Sequence, residues 1–307
     1  LVLVQEYGMN LFRFGAGAKL AIDNMENIAF YNQTTVQQIE KNDQQWNLTY
    51  TKNNETIQEE FDYLINASGF RTGSIDDMLG VKSQKMVEFK ASYISQWEQK
   101  SDMVFPEIIF HGERGTPQGM AQFTPYPGGY FQLHGMTNDI TLYEDGLVSS
   151  TDTSAQPRLK NHFIQKLDDG WTKEDVNKRT QSAIKHVKQF IPEFAQARVG
   201  ALPLFGAQQI PGDDPTLRVA EVSFPKKRYA RCEIVKVSSS LNMVDAIVRE
   251  LNKLGYINDV QGESRNVDYL TLIDENDLNR ESENLALSRG YPRDLAKINV
   301  PIPTSRV

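Results

Sequence analysis

The chain has 307 residues, 39% apolar and 24% charged, a composition typical of a soluble globular protein whose length suggests two domains. Its 33 basic and 40 acidic residues leave a net charge of −7, which argues against nucleic acid or an anionic membrane as the main partner. No apolar run approaches the roughly 20 residues of a bilayer span, no signal peptide opens the chain, and a lone cysteine, Cys232, excludes an intrachain disulfide or a thiolate metal cluster. The compartment is read as cytoplasmic. Three sequons, at Asn32, Asn47 and Asn54, would matter only in a secreted protein. The apolar opening LVLVQEYG, with Leu1 rather than Met, suggests that the sequence begins inside a longer chain.

Residues 9–26 read as a helix with Leu11, Phe12, Leu20 and Ile22 as apolar positions, weakened by Gly15 and Gly17, which permit close packing. IAFYNQTTVQQIE alternates as a strand. NLTYTK and ETIQEEF flank Asn53-Asn54 as a hairpin. The apolar run Phe61 to Ile65 then reads as a short buried strand. It ends in Asn66, Ala67, Ser68 and Gly69, whose small side chains would admit another backbone or a phosphate.

After Gly80 the segments VEFKASYIS, IIFHGER, MAQFTPY, GYFQLHGM and ITLYED are short, aromatic-rich and alternating, with a Pro127-Gly128-Gly129 turn, as in an antiparallel sheet. Trp171 to Phe190 is helical, with Thr172 as N-cap, Asp175 three residues on, and Pro192 beyond its end. Residues 197–224 return to strands. Residues 240–255 form a helix between Ser240 as cap and Gly255 as stop. The polar stretch 256–307, with Pro292, Pro301 and Pro303, reads as a surface arm. The expected class is therefore α/β (α+β). An antiparallel platform interrupts a sheet domain and leaves a cleft between two units.

In this order the segments resemble the FAD-dependent oxidoreductases of the D-amino-acid-oxidase superfamily over most of residues 9–254. Val36-Gln37-Gln38-Ile39 stands for the family's Val-x-x-Ile, whose valine backbone faces the adenine. FDYLINASGF is similar to the family's apolar strand and Asn-Ala-x-Gly turn near the pyrophosphate, carried here by Ala67, Ser68 and Gly69. MAQFTPYPGGYFQLHGMT looks like the hairpin of the substrate domain that covers the flavin. FIPEFAQARV with ALPLFG resembles the return to the FAD domain, and TLRVAEV to residue 254 resembles its closing part.

The resemblance implies part of a Rossmann-like FAD-binding domain at 1–80 and 197–255, a substrate domain at 81–196 and an arm at 256–307. It also implies FAD, a small-molecule substrate, an electron acceptor and no integral membrane segment. Two departures stand out. The family's G-x-G-x-x-G turn is absent, since Gly15-Ala16-Gly17 lacks a preceding strand and a third glycine. YARCEIVKVSSS replaces the family's Gly/His-rich stretch.

Oxidation of an amine or alcohol by a flavin needs the substrate C–H held against flavin N5 and a route for the departing proton. A substrate carboxylate is best held by arginine, whose fork is bidentate. His111, Glu113 and Arg114 form one polar patch, alternatively a surface loop with a local Glu–Arg pair. His134 alternates with Gln132 and Phe131 on a strand expected to face the cleft, or fills a core position. Tyr126 and Tyr130 flank a turn, where they gate the site or simply pack.

Lys226, Lys227, Arg228 and Arg231 form a basic run, either a solvated loop or charges near an anionic ligand. Arg231 and Lys236 are the candidates preceding the closing helix. Cys232 is either inert or a low-pKa thiol able to attach flavin. The expected catalytic set is Arg114, His134 and Arg231. The expected cofactor set is Val36, Ala67, Ser68, Gly69 and Lys236, with no metal. A non-catalytic binding or assembly module and a flavin monooxygenase stand as alternatives.

Overall fold

An asparagine that can cap and glycines that let another helix approach open the described part of the chain, which a computed structural model places for residues 8–42, 44–98, 106–217, 221–233, 235–258 and 273–298. Helix α1 (Leu11–Asp23) starts where Asn10 Oδ1 accepts from the amides of Phe12 and Arg13 at 3.1 and 3.2 Å. Gly15 and Gly17 face Leu285 and Leu278 of the last helix, so the close packing read from the sequence is present. Gln33 has φ 50°, which delays the predicted strand to β1 (Thr34–Lys41). Strands β2 (Trp46–Lys52) and β3 (Glu55–Phe61) complete an antiparallel meander whose Asn53-Asn54 turn has φ of 51° and 67°, the left-handed pair a tight hairpin requires.

The predicted strand Phe61 to Ile65 is divided. Phe61 pairs with Trp46 as the last hairpin residue, and strand β4 is confined to Leu64–Asn66. Helix α2 (Thr72–Met78) follows a turn in which Gly69 has φ 56°.

The platform is built on strand β5 (Lys85–Gln96), twelve residues long. Strands β6 (Ile108–Phe110), β7 (Ala121–Tyr126), β8 (Tyr130–Gly135), β9 (Leu147–Ser149), β10 (Arg198–Val199) and β11 (Leu204–Pro211) complete it. The order β10-β5-β8-β7-β6 has β9 and β11 pairing with β5 within its residues 85–92. Every pairing within it is antiparallel. Val87, Phe89, Ala91 and Tyr93 of β5 turn toward helices α3 (Asn161–Asp168) and α4 (Lys173–Val187) and form the core with Phe123, Phe131, Leu133 and Phe163. Thr172 caps α4, accepting from Asp175 N at 3.2 Å.

ITLYED is not a strand. Arg179 of α4 donates to the carbonyls of Ile140 and Leu142 at 2.7 and 3.2 Å, and those acceptors are held in a turn while Ile140 and Leu142 are buried. Residues 198–211, expected in the closing part of the cofactor domain, pair with β5 instead.

Strands β12 (Glu221–Lys226) and β13 (Tyr229–Glu233) form a hairpin, and β13 runs parallel to β4, giving a three-stranded sheet in the order β12-β13-β4. Helix α5 (Ser240–Lys253) covers Ala230 and Cys232 with Met243 and Ile247. Its N-cap is Ser239, without a side-chain hydrogen bond, rather than Ser240, while Gly255 at φ 79° ends it as expected.

The described part of the tail is no free arm. Helix α6 (Glu275–Ser288) and the turn after it bury Ala286, Tyr291, Leu295 and Ala296 against Phe12 of α1 and Ile94 of the platform. Leu1 to Tyr7, Pro301 and Pro303 lie outside the described residues. The class is thus mixed α+β with a large antiparallel platform. Its parallel component, among the described residues, is the β4/β13 pair. No described helix is long and apolar enough to cross a membrane.

Candidate functional site

Parallel strands point their carboxyl ends the same way, and the loops leaving those ends make the ligand crevice of an open α/β sheet. Here the two loops are Ala67–Gly69 after β4 and the described segment from 235 that follows β13. Buried Asn66 organises the first: its Oδ1 accepts from Ser68 N at 3.3 Å and its Nδ2 donates to Thr72 O at 3.0 Å. Ala67, Ser68 and Gly69 are exposed, and a Cβ added to Gly69 would meet nothing within 4 Å. Glycine is demanded there by φ 56° rather than by a close approach. The crowded glycine is Gly73, where a Cβ would fall 2.3 Å from Ala155 O. The stretch 70–74 docks on this segment through Gln156, whose Nε2 donates to Phe70 O and whose Oε1 accepts from Ser74 N, each at 3.0 Å.

The platform face turned away from α3 and α4 carries a strip of charge. Glu88 and Lys90 share this face of β5, two residues apart, and Gln208 of β11 is the register partner of Glu88. Glu88 Oε1 accepts from Arg114 Nη2, and Glu88 Oε2 lies 2.9 Å from Lys90 Nζ. Lys90 Nζ donates to Gln208 Oε1 at 3.2 Å, and Gln208 Nε2 donates to Val235 O at 3.3 Å. That last bond brings the loop after β13 against the charged strip. Farther along, Gln132 Nε2 donates to Ser92 Oγ at 3.0 Å and Tyr126 Oη to Gln132 Oε1 at 3.2 Å. Burial pushes the Tyr126 hydroxyl pKa up, keeping it a donor.

Arg114 therefore pairs with buried Glu88 and not with its neighbour Glu113, which is exposed together with His111. Its Nη1 is buried without a hydrogen-bond partner among the described residues. His134 stands opposite Gln122 in the β7/β8 pairing, on the face away from Phe131 and Leu133. Lys236 is exposed at the start of the turn before α5. Val36 packs against the meander core, next to a bulge between Val36 and Gln38.

Arg231 lies deeper, with its Nη1 3.0 Å from Asp76 Oδ2 and its Nε 3.3 Å from Glu233 Oε2. The basic run is split: Lys226 and Lys227 sit exposed at the β12/β13 turn, while Arg228 takes φ 63°. Cys232 is buried beneath α5, and burial pushes its thiol pKa up, opposite to the lowered value an activated thiolate needs.

Glu88, Lys90 and Gln208 escaped the sequence-based expectation for the site, and Asn66 was expected there for its small size rather than for its hydrogen bonds. The alternation E-F-K in VEFKASYIS carried a usable signal, since two opposite charges at i and i+2 on a strand share one face.

No protein-family model matches the sequence, and no curated protein does. Solved structures similar to it include an L-amino acid deaminase from Proteus vulgaris, at 11% identity and TM-score 0.45 over 74% of this chain and 55% of the other. A glycine oxidase from Geobacillus kaustophilus gives 11% and 0.46 over 78% of this chain and 54% of its own. CmlS, a flavin-dependent halogenase, gives 14% and 0.40 over 89% and 47%. The chain thus spans about half the length of these structures. None reaches a TM-score of 0.5, and the functional reading rests on this chain's own geometry.

Proposed function

We propose that this chain belongs to an FAD-dependent oxidoreductase that removes a hydride from a small polar substrate, an amine, amino acid or hydroxy acid. The observation that carries the reading is the Gln208–Val235 bond. It sets the loop after β13, the strand that runs parallel to β4, beside the platform strip that holds Arg114. The residues fit the cofactor: the turn Ala67–Gly69 is exposed with open space at Gly69, and Lys236 adds a cation.

Bound FAD would accept the hydride at N5. The chain's own part is orientation. Arg114, held by Glu88 through Nη2, would turn its buried and unpartnered Nη1 to a substrate carboxylate, and Lys90 offsets the second Glu88 oxygen so that the strip keeps a positive surplus. His134 supplies an imidazole on the same platform face as Gln132. Arg231 acts from beneath through Asp76 and Glu233. The electron acceptor is oxygen or a second partner, and the compartment is cytoplasmic in this reading.

The test is the visible spectrum of the purified protein titrated with FAD to millimolar concentration, followed by anaerobic bleaching with amines, amino acids and hydroxy acids. Weak binding is expected, because the sequence holds no G-x-G-x-x-G turn. Complete absence of binding leaves the non-catalytic module as the better account, and bleaching that requires a nicotinamide reductant favours a monooxygenase. Arg114→Met should raise KM for acidic substrates about tenfold or more, the loss expected of a charge-assisted bond. An unchanged KM removes Arg114 as the anchor.

A further inference from the structure

Asp76 is fully buried and collects four donors from three directions. Lys85 Nζ of the platform strand lies at 2.8 Å, Arg231 Nη1 of β13 at 3.0 Å and Ser83 Oγ at 3.1 Å from Oδ2, while Tyr229 Oη donates to Oδ1 at 2.8 Å. Glu233, 3.3 Å from both Lys85 and Arg231, brings the buried charges to two of each sign. The Tyr229 hydroxyl is also an acceptor, taking a bond from Asn66 Nδ2 at 2.8 Å, and Asn66 holds the Ser68 amide through its other amide atom.

An unbroken chain therefore runs from Lys85 through Asp76, Tyr229 and Asn66 to the exposed turn. The Asn66 link is directional: Nδ2 gives one hydrogen to Tyr229 Oη and the other to Thr72 O, and the two bonds together turn Oδ1 toward Ser68. Packing alone needs none of this, because a phenylalanine ring would fill the same place against Trp46.

We propose that Tyr229 and Asp76 are positioning residues that set the turn Ala67–Gly69 relative to platform strand β5, so that the phosphate-side contacts and the substrate strip keep a constant separation. The proposal rests on the reading that the turn contacts the flavin nucleotide, but its first test does not. Tyr229→Phe deletes the relay hydroxyl. Ser83→Ala deletes another hydroxyl donor to the same carboxylate without touching Asn66, and serves as the structural control. Amide exchange in the full chain, followed by NMR, should show Ser68 protection lowered about fivefold by Tyr229→Phe, one hydrogen bond's worth, and unchanged by Ser83→Ala.

Equal Ser68 protection in Tyr229→Phe and the unaltered protein overturns the proposal, as does an equal loss in both variants. Should Tyr229→Phe fail to fold, the unaltered protein decides. Two slowly exchanging side-chain protons on Asn66, one for Thr72 O and one for Tyr229 Oη, support the chain, and surface-like exchange of either overturns it. FAD titration then separates the two readings. A fivefold weaker Kd in Tyr229→Phe alone supports both. Loss of Ser68 protection with no FAD binding by any form upholds the positioning chain and removes the flavin reading.

Discussion

Lys85 Nζ lies 2.8 Å from Asp76 Oδ2, with the two side chains 1% and 0% exposed. An ammonium and a carboxylate this deep are tolerated because each is shared: Lys85 also faces Glu233, and Asp76 also binds Arg231, Tyr229 and Ser83. Such clusters add less stability than their Coulomb attraction suggests, since every charge was desolvated to build them. Removing one member is different, because the remaining charges stay buried without their counterion.

Lys85→Met is therefore expected to lower stability by about 3–5 kcal/mol. The measurement is the shift of the urea midpoint at unchanged m-value. A loss no larger than the ~1 kcal/mol of an exposed pair would show that water reaches the cluster.

Two glycines four residues apart should respond to alanine for different reasons. Gly69→Ala pays for φ 56° in open surroundings, about 1–2 kcal/mol. Gly73→Ala drives a methyl to within 2.3 Å of Ala155 O, so backbone must move and the cost rises to about 3 kcal/mol or more. Thermal unfolding of the pair checks the order. A Gly69→Ala protein less stable than Gly73→Ala would contradict the docking of 70–74 on 155–156.

Tyr63 has a buried hydroxyl with no hydrogen-bond partner among the described residues, and burial, with a smaller push from Glu250, raises its pKa from 10.0 to about 12. Because the folded protein holds this proton more tightly than the unfolded chain, the contribution is complete below pH 10 and is lost as pH rises toward 12. Tyr63→Phe keeps the ring against Tyr256 and should be neutral or stabilising at neutral pH. It should also show a shallower loss of stability between pH 10 and 12. Urea midpoints across that range decide, and an alkaline slope identical to that of the unaltered protein excludes Tyr63 as its source.

Much of the local structure was legible residue by residue. Thr172 caps α4 because its hydroxyl reaches the amide three residues on, and Asn53-Asn54 turns the hairpin because asparagine tolerates positive φ. The alternation in AQFTPY and YFQLHG marked both as strands, which they are, while the burial of Phe123, Phe131 and Leu133 came from the helices packed on that face. ITLYED has the same alternation yet is a turn, since Arg179, 39 positions beyond Ile140, takes its carbonyls.

Periodicities, caps and turns can be read directly from neighbouring residues, because their causes act within a few positions. The destinations of the charges emerge only once the chain has folded. Arg114 and Arg231 look alike in the chain, but one meets Glu88 on an open platform face and the other Asp76 in the interior. Desolvation and pairing are properties of neighbours brought together from distant positions, and no local pattern encodes them. The tail shows the same rule: its helix reads as polar and solvent-facing until α1 buries Ala286 and Leu295.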